Sequence, residues 1–146
     1  MNLRKINSND KDKYLEMTAA FYSSEAVDHK VDPQNCVNTF DELMSSDTYA
    51  ECYIIEESAK IAGYVLLSKS YSQEVGGICI WFEEIWIEPD FRGNGIGSKV
   101  LNQVMELHSE AARFRLEYAP ANPRAAELYR RMGFEDLNYM QMCLDK

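Results

Sequence analysis

Basic residues are scarce in this chain of 146 residues: 15 Lys and Arg stand against 24 Asp and Glu, for a formal net charge of -9. Nucleic-acid surfaces are built from clustered Lys and Arg, so no nucleic-acid partner is expected, and a cationic ligand suits the balance better. Histidine is nearly absent, with only His29 and His108. The four cysteines, Cys36, Cys52, Cys79 and Cys143, lie far apart without a C-x-x-C pair, so reduced packing thiols are expected, with no metal site and no disulfide framework. No apolar run approaches the ~18 residues of a membrane helix, so no membrane span is expected. The opening Met1-Asn2-Leu3-Arg4-Lys5 leads into polar residues, not an apolar leader core, and the expected compartment is the cytoplasm.

What is present is one domain's worth of core, over residues 1–146. A chain of this length buries about 70% of its unfolded surface, enough for one core and too little for two. Residues 1–7 predict a short strand anchored by Leu3 and Ile6. Tyr14, Met17, Thr18 and Phe21 recur at helical spacing within 11–23, with Leu15 and Tyr22 widening the face. Asp32-Pro33 opens a second helix whose inner face is Cys36, Val37, Phe40, Leu43 and Met44. From residue 49 the period becomes two, and the stretches on either side of Ser58-Ala59-Lys60 read as an antiparallel hairpin, with Gly63 marking a bulge or a close backbone approach. Residues 78–87, rich in Ile, Trp and Phe, predict a central strand. A helix to about residue 109, a strand over 114–118, a helix opened by Asn122-Pro123 and closed by Gly133, and a last strand over 139–144 complete the order β-α-α-β-β-β-α-β-α-β. The fold class is α/β (α+β), a mixed sheet with helices on both faces.

Between the central strand and the helix that follows lies Phe91-Arg92-Gly93-Asn94-Gly95-Ile96-Gly97-Ser98. Glycines at alternate positions let successive amides turn toward one anion, and the helix adds its positive end. A nucleoside-triphosphate loop would need Gly-Lys-Ser/Thr, whereas Lys99 follows Ser98 and precedes Val100. A dinucleotide fingerprint would need a third Gly or Ala where Ser98 stands, and a longer alternating domain after it.

The pattern Arg92-x-x-Gly95-x-Gly97, followed some thirty residues later by Asn122-x-x-Ala125-x-x-Leu128-Tyr129-x-x-x-Gly133-Phe134, resembles the GNAT superfamily of N-acetyltransferases. The motifs cover residues 78–134, and the element order agrees over nearly the whole chain. The resemblance implies a mostly antiparallel sheet of six to seven strands with four helices and a splayed central strand pair. It also implies acetyl-CoA as donor and transfer of the acetyl group to a primary amine by direct attack, the acceptor being a polyamine, an aminoglycoside or a peptide amine. A homodimer is compatible with it. The loop, Arg92, Gly93, Asn94, Gly95, Ile96, Gly97 and Ser98, would hold the CoA pyrophosphate. Ile85, Trp86 and Ile87 would pair with the pantetheine arm, Asn122 would contact the cofactor, and Tyr129 would stand near the sulfur as the acid that protonates the leaving thiolate.

An alkyl amine of pKa near 10.4 is about 0.04% neutral at pH 7, which costs roughly 4.6 kcal/mol unless a base assists. Glu83 and Glu84 are the candidates, and strict alternation sends them to opposite faces. The resemblance favours Glu83 as the base, then Glu84, with Glu117 as a rival; each could instead pair with Arg92, Arg115 or Arg124. Tyr22, His29 and the stretch Tyr71-Ser72-Gln73-Glu74 are candidates for the acceptor wall. A module that binds acyl-CoA without turnover is the alternative reading.

Overall fold

The computed structural model describes residues 1–24, 27 and 29–146. Its elements, in chain order, are β1 (Asn2–Lys5), α1 (Lys11–Tyr22), α2 (Pro33–Ser45), β2 (Ala50–Glu57), β3 (Lys60–Ser72), β4 (Gly77–Ile87), α3 (Ile96–Leu107), β5 (Arg113–Leu116) and α4 (Pro123–Arg131). Local chemistry explains the boundaries. The Asp32 carboxylate accepts the Gln34 amide at 2.9 Å with Pro33 in the first helical position, so α2 starts where a free amide is capped and none is lost. Ser58 and Ala59 turn the β2–β3 hairpin with φ of 51° and 61°, the left-handed pair that matches the twist of the strands, although neither is glycine.

The five strands form one sheet in the order β1-β2-β3-β4-β5. All neighbours are antiparallel except β4 and β5, which are parallel. One face carries α1 and α2, where Tyr14, Met17, Phe40 and Leu43 pack on Cys52, Ile54, Tyr64, Leu66 and Trp86. The other carries α3, where Ile96, Val100, Leu101 and Val104 pack on Ile55, Val65, Leu67, Ile80 and Phe82. Burying each such side chain contributes about 1.5–3 kcal/mol.

Two irregularities in β4 position everything that follows. Its pairing with β5 runs only from Cys79 opposite Arg113 to Phe82 opposite Leu116, and past that point the edge has no partner strand. This is the expected splay. Beside it, the register with β3 slips: Phe82 faces Leu67 and Glu84 faces Leu66, so Glu83 is an extra residue, a bulge.

The strand expected over 139–144 does not form, and among the described residues the sheet has five strands, not six to seven. The segment lies near β5 through side chains, with Gln141 Nε2 donating to Glu117 at 2.5 Å and Tyr139 Oη to Glu74 at 3.5 Å. No backbone ladder joins it, and its alternate apolar residues find no face to bury, with Met140, Met142 and Leu144 98%, 99% and 86% exposed. Alternation signals a capacity for pairing; it needs an edge to use it.

Gly63 serves both roles expected of it. It sits at the slip between β2 and β3, and a Cβ there would lie 2.0 Å from the Trp86 carbonyl oxygen. Gly63→Ala is therefore expected to lower stability by about 3 kcal/mol or more in urea unfolding, since backbone must move. On the far edge, buried Asp10 accepts both guanidinium nitrogens of Arg4 at 2.7 and 2.8 Å and the Asn7 amide at 2.9 Å. Arg4 holds the Asp10 carboxyl below its ordinary range. Because the folded value is the lower one, this stabilisation is complete above the unfolded pKa near 4 and is lost as pH falls through the folded value. Asp10→Asn should cost about 2–3 kcal/mol at pH 7, with the deficit shrinking on acidification in denaturation series from pH 7 to pH 2.

Candidate active site

A groove of about 850 Å³ opens where β4 and β5 separate. Its floor is the end of β4, with Ile85, Trp86 and Ile87, and its sides are the glycine loop and α4. The Glu88 amide bonds to the Ala62 carbonyl on the β3 side, so by alternation the N–H and C=O groups of Ile85 and Ile87 face the open edge. The Ile87 carbonyl there accepts Arg92 Nε at 2.8 Å.

The loop is a row of free donors. Arg92 N is spent on the Pro89 carbonyl and Lys99 N on Gly95, but the six amides from Gly93 to Ser98 find no acceptor among the described residues. Gly93 and Gly95 have φ of 82° and 72°, and a Cβ on either would enter empty space where a ligand can lie. Gly97 differs: its Cβ would lie 3.0 Å from Leu128, so its smallness lets α3 approach α4. The helix dipole adds to the positive potential, and Arg124 and Arg131 of α4 line the opposite wall. Arg92 braces the loop, its guanidinium 4.7 Å from the Trp86 ring centre. Asn122 caps α4 by accepting the Ala125 amide at 3.2 Å and also lines the groove. The Trp86 indole Nε1 is buried without a partner among the described residues. Free amides, open space above two glycines and an unpaired strand edge fit a long ligand with an anionic end, as CoA is.

A second cavity, of about 340 Å³, lies between α1 and α2, lined mainly by Leu15, Ala19, Tyr22, Lys30, Cys36 and Val37. Ser23, just past the end of α1, lines both cavities. The acidic pair stands beside this junction, and the bulge changes how it points. Leu66 and Trp86 belong to the α1/α2 face; Glu84, opposite Leu66, joins them, and Glu83 reaches Ser68, two residues from Leu66, whose hydroxyl donates to it. Both carboxylates thus serve one face, where alternation put them on two. Glu83 is exposed. Glu84 is 7% exposed and accepts from Tyr22 Oη at one oxygen and from Tyr64 Oη at 2.5 Å at the other. Burial pushes its carboxyl above the ordinary range, the phenols offset part of that, and Glu83 adds to it.

The remaining candidates lie elsewhere. Tyr129 does not line the groove; its ring packs between Tyr118 and Phe134, at 6.3 and 6.1 Å, and burial pushes its hydroxyl up. Glu117 lies past the end of β5 and bonds to Gln141. Tyr71 is 73% exposed, and Glu74 pairs with Arg113 at 2.5 Å, so the 71–74 stretch walls neither cavity. Tyr64 and Arg131 carried no expectation from the sequence, and Arg124 only that of an ion-pair partner for the acids. A buried tyrosine one strand away from a glutamate gives no local signal, although two arginines after an Asn-Pro cap could have been weighed as anion contacts.

The sequence model of the Acetyltransferase (GNAT) family matches residues 13–134. The chain is 39% identical over 79 residues to a thialysine N-ε-acetyltransferase of Bos taurus, covering 53% of this chain and 46% of that protein, so it spans about half the length of that relative. To the enzyme of the same name from Mus musculus it is 26% identical over 150 residues, covering 92% of this chain and 84% of the other. Among solved structures, an acetyltransferase from Clostridium acetobutylicum, itself assigned by prediction and solved with acetyl-CoA, superposes with a TM-score of 0.78 at 18% identity, over 97% of this chain and 95% of that one.

Gly95→Asp puts a carboxylate into the empty space above the loop while keeping a residue type that tolerates left-handed backbone. CoA affinity by titration calorimetry should fall at least about tenfold with little change in melting temperature, since the new carboxylate repels the pyrophosphate and competes for the same helix N-terminus, an effect of up to about 2 kcal/mol.

Proposed function

The chain belongs to the GNAT acetyltransferase family, and from that premise we propose that it transfers an acetyl group from acetyl-CoA to the primary amine of a small molecule. The observation that carries this reading is one continuous run of backbone, residues 83–98, in which an acidic bulge, an unpaired strand edge and a row of free amides follow one another.

Acetyl-CoA, when bound, supplies an acetyl group activated as a thioester. The amides of residues 93–98 and the start of α3 hold its pyrophosphate, with Arg124 and Arg131 opposite. The open edge at Ile85 and Ile87 pairs with the amides of its arm and aims the acyl end at the bulge, and the Ile85 amide is the donor nearest the acids for the acyl oxygen. Trp86, stacked under Arg92, closes the floor and keeps water from the arm.

The acceptor enters between α1 and α2. Apolar walls from Leu15, Ala19 and Val37 suit an alkyl arm, and Glu83 and Glu84 draw an ammonium to the junction. We assign proton removal to Glu84, because a buried carboxylate with a raised pKa is the stronger base, and ammonium capture to exposed Glu83. Tyr129, as the acid for the leaving thiolate, would have to turn out of its ring stack. An ω-amino-alkyl acceptor such as thialysine, which the relatives' name specifies, fits these walls. Polyamines fit the same chemistry. The expected compartment stays the cytoplasm, and a homodimer stays compatible with the family.

Free thiol release from acetyl-CoA is to be followed with thialysine, spermidine, kanamycin and a peptide amine. Release with the ω-amino-alkyl compounds is expected, whereas CoA binding without release on any amine would establish a silent binding module instead. Glu84→Gln should lower kcat about a hundredfold and remove the acid limb of the pH–rate profile, while Glu83→Gln should act mainly on KM. A wild-type kcat and acid limb in Glu84→Gln would reassign the base.

A further inference from the structure

Glu84 is the base assigned above, yet it lines neither cavity, whereas Tyr22 lines the one between α1 and α2 and donates its hydroxyl to Glu84. An amine in that cavity therefore meets Tyr22 before it meets Glu84. Tyr22 gives its one proton to Glu84, so its oxygen lone pairs remain free to accept an N–H from the cavity side. Tyr64 cannot take this part, because it is fully buried and its bond to Glu84 leads into the core, against Tyr14.

We propose that Tyr22 is a proton relay, a catalytic residue that connects the acceptor ammonium to Glu84. The step is balanced: the ammonium N–H bond breaks as its proton passes to the Tyr22 oxygen, and the Tyr22 O–H bond breaks as that proton passes to Glu84. The outcome is a neutral amine, a neutral phenol and a protonated carboxyl. When product leaves, the reverse path returns the proton to solvent through the cavity. Burial and the Glu84 charge hold the Tyr22 hydroxyl well above its usual range, so a free phenolate is no resting point and both protons move together. The groups facing this pair are Tyr14 from α1, Cys36 from α2, Cys52 from β2, Tyr64 from β3 and Glu83 from β4, with Lys30 on the cavity wall. None of these others joins the cavity to Glu84 by a hydrogen bond among the described residues.

The relay rests on the acetyl-transfer reading, and Tyr22→Phe tests it while keeping the ring on the cavity wall. With thialysine or spermidine as acceptor at pH 7.5, kcat should fall about thirtyfold or more with KM changed less than about threefold, in the range of lost acid–base catalysis. With trifluoroethylamine, a primary amine already neutral at that pH, the loss should be under about threefold, because no proton has to be taken before attack. In mixtures of light and heavy water, the wild-type rate should curve with deuterium fraction, as two moving protons require, and Tyr22→Phe should make it linear. Tyr64→Phe serves as the matched control: it removes the other phenol on Glu84 and should raise the pH of the acid limb while keeping the curvature. Equal losses on ammonium and neutral amines, or an unchanged kcat in Tyr22→Phe, would overturn the relay while leaving acetyl transfer intact. An unmodified protein that releases no thiol with any amine would overturn both.

Discussion

Strand β4 changes partners at Phe82, and the site depends on that change. Up to Phe82 it is laddered on both sides; beyond, it keeps β3 and loses β5. A strand edge without a partner is a liability in most sheets, since it exposes unpaired N–H and C=O groups. Here the same defect makes a groove whose floor carries hydrogen-bonding groups at regular spacing. The bulge at Glu83 stands at this transition, and it rotates the following residues by one step, so that Glu84 and Trp86 turn to the α1/α2 face and Ile85 and Ile87 to the α3 side. Strict alternation through Glu83, with no bulge, would instead bury the isoleucines against α1 and aim Glu84 at α3.

Much of this was legible because it is local. The alternate glycines, the Asp32-Pro33 start of α2, the Asn122 cap and the turn at Ser58-Ala59 each follow from a few neighbouring residues. What failed was the strict two-residue period at Glu83-Glu84, since a bulge is a property of pairing with β3 and leaves no mark in β4 alone. The 139–144 segment failed for the opposite reason: its pattern is that of a strand, but its apolar residues are left in solvent with no surface to pack on. The cavity between α1 and α2 was only half visible. Tyr22 could be named as a wall, but its bond to Glu84 spans 62 positions and depends on how α1 lies across the sheet.

The charges divide by purpose. On the sheet edge away from the groove, Arg4 joins Asp10 and Glu56, and under the end of α3 the buried Glu51 accepts from Lys69 and Tyr53. Burial alone would raise the Glu51 carboxyl, but these two partners outweigh it and hold it low. Such pairs keep their ions fixed and ionised. Among the described residues Glu84 has only phenols as hydrogen-bond partners, and burial raises its carboxyl where the cation-paired Asp10 and Glu51 are held low. In a chain so short of cations, Arg92, Arg124 and Arg131 are grouped around one groove.

Arg92 ties two parts of the molecule together: its Nε holds the Ile87 carbonyl while its guanidinium lies on Trp86, so loop and strand end form one rigid piece. At about 3.3 Å per residue, the strand from Glu83 to Ile87 spans about 13 Å, and the loop begins a few residues beyond. On the acetyl-transfer reading proposed above, the piece would act as a gauge of length. A donor held there by its phosphates would reach the acids only with an arm as long as the open edge, and acyl groups on shorter carriers would stop short of the bulge. Selection of the donor would then be a matter of span, made far from the bond that breaks.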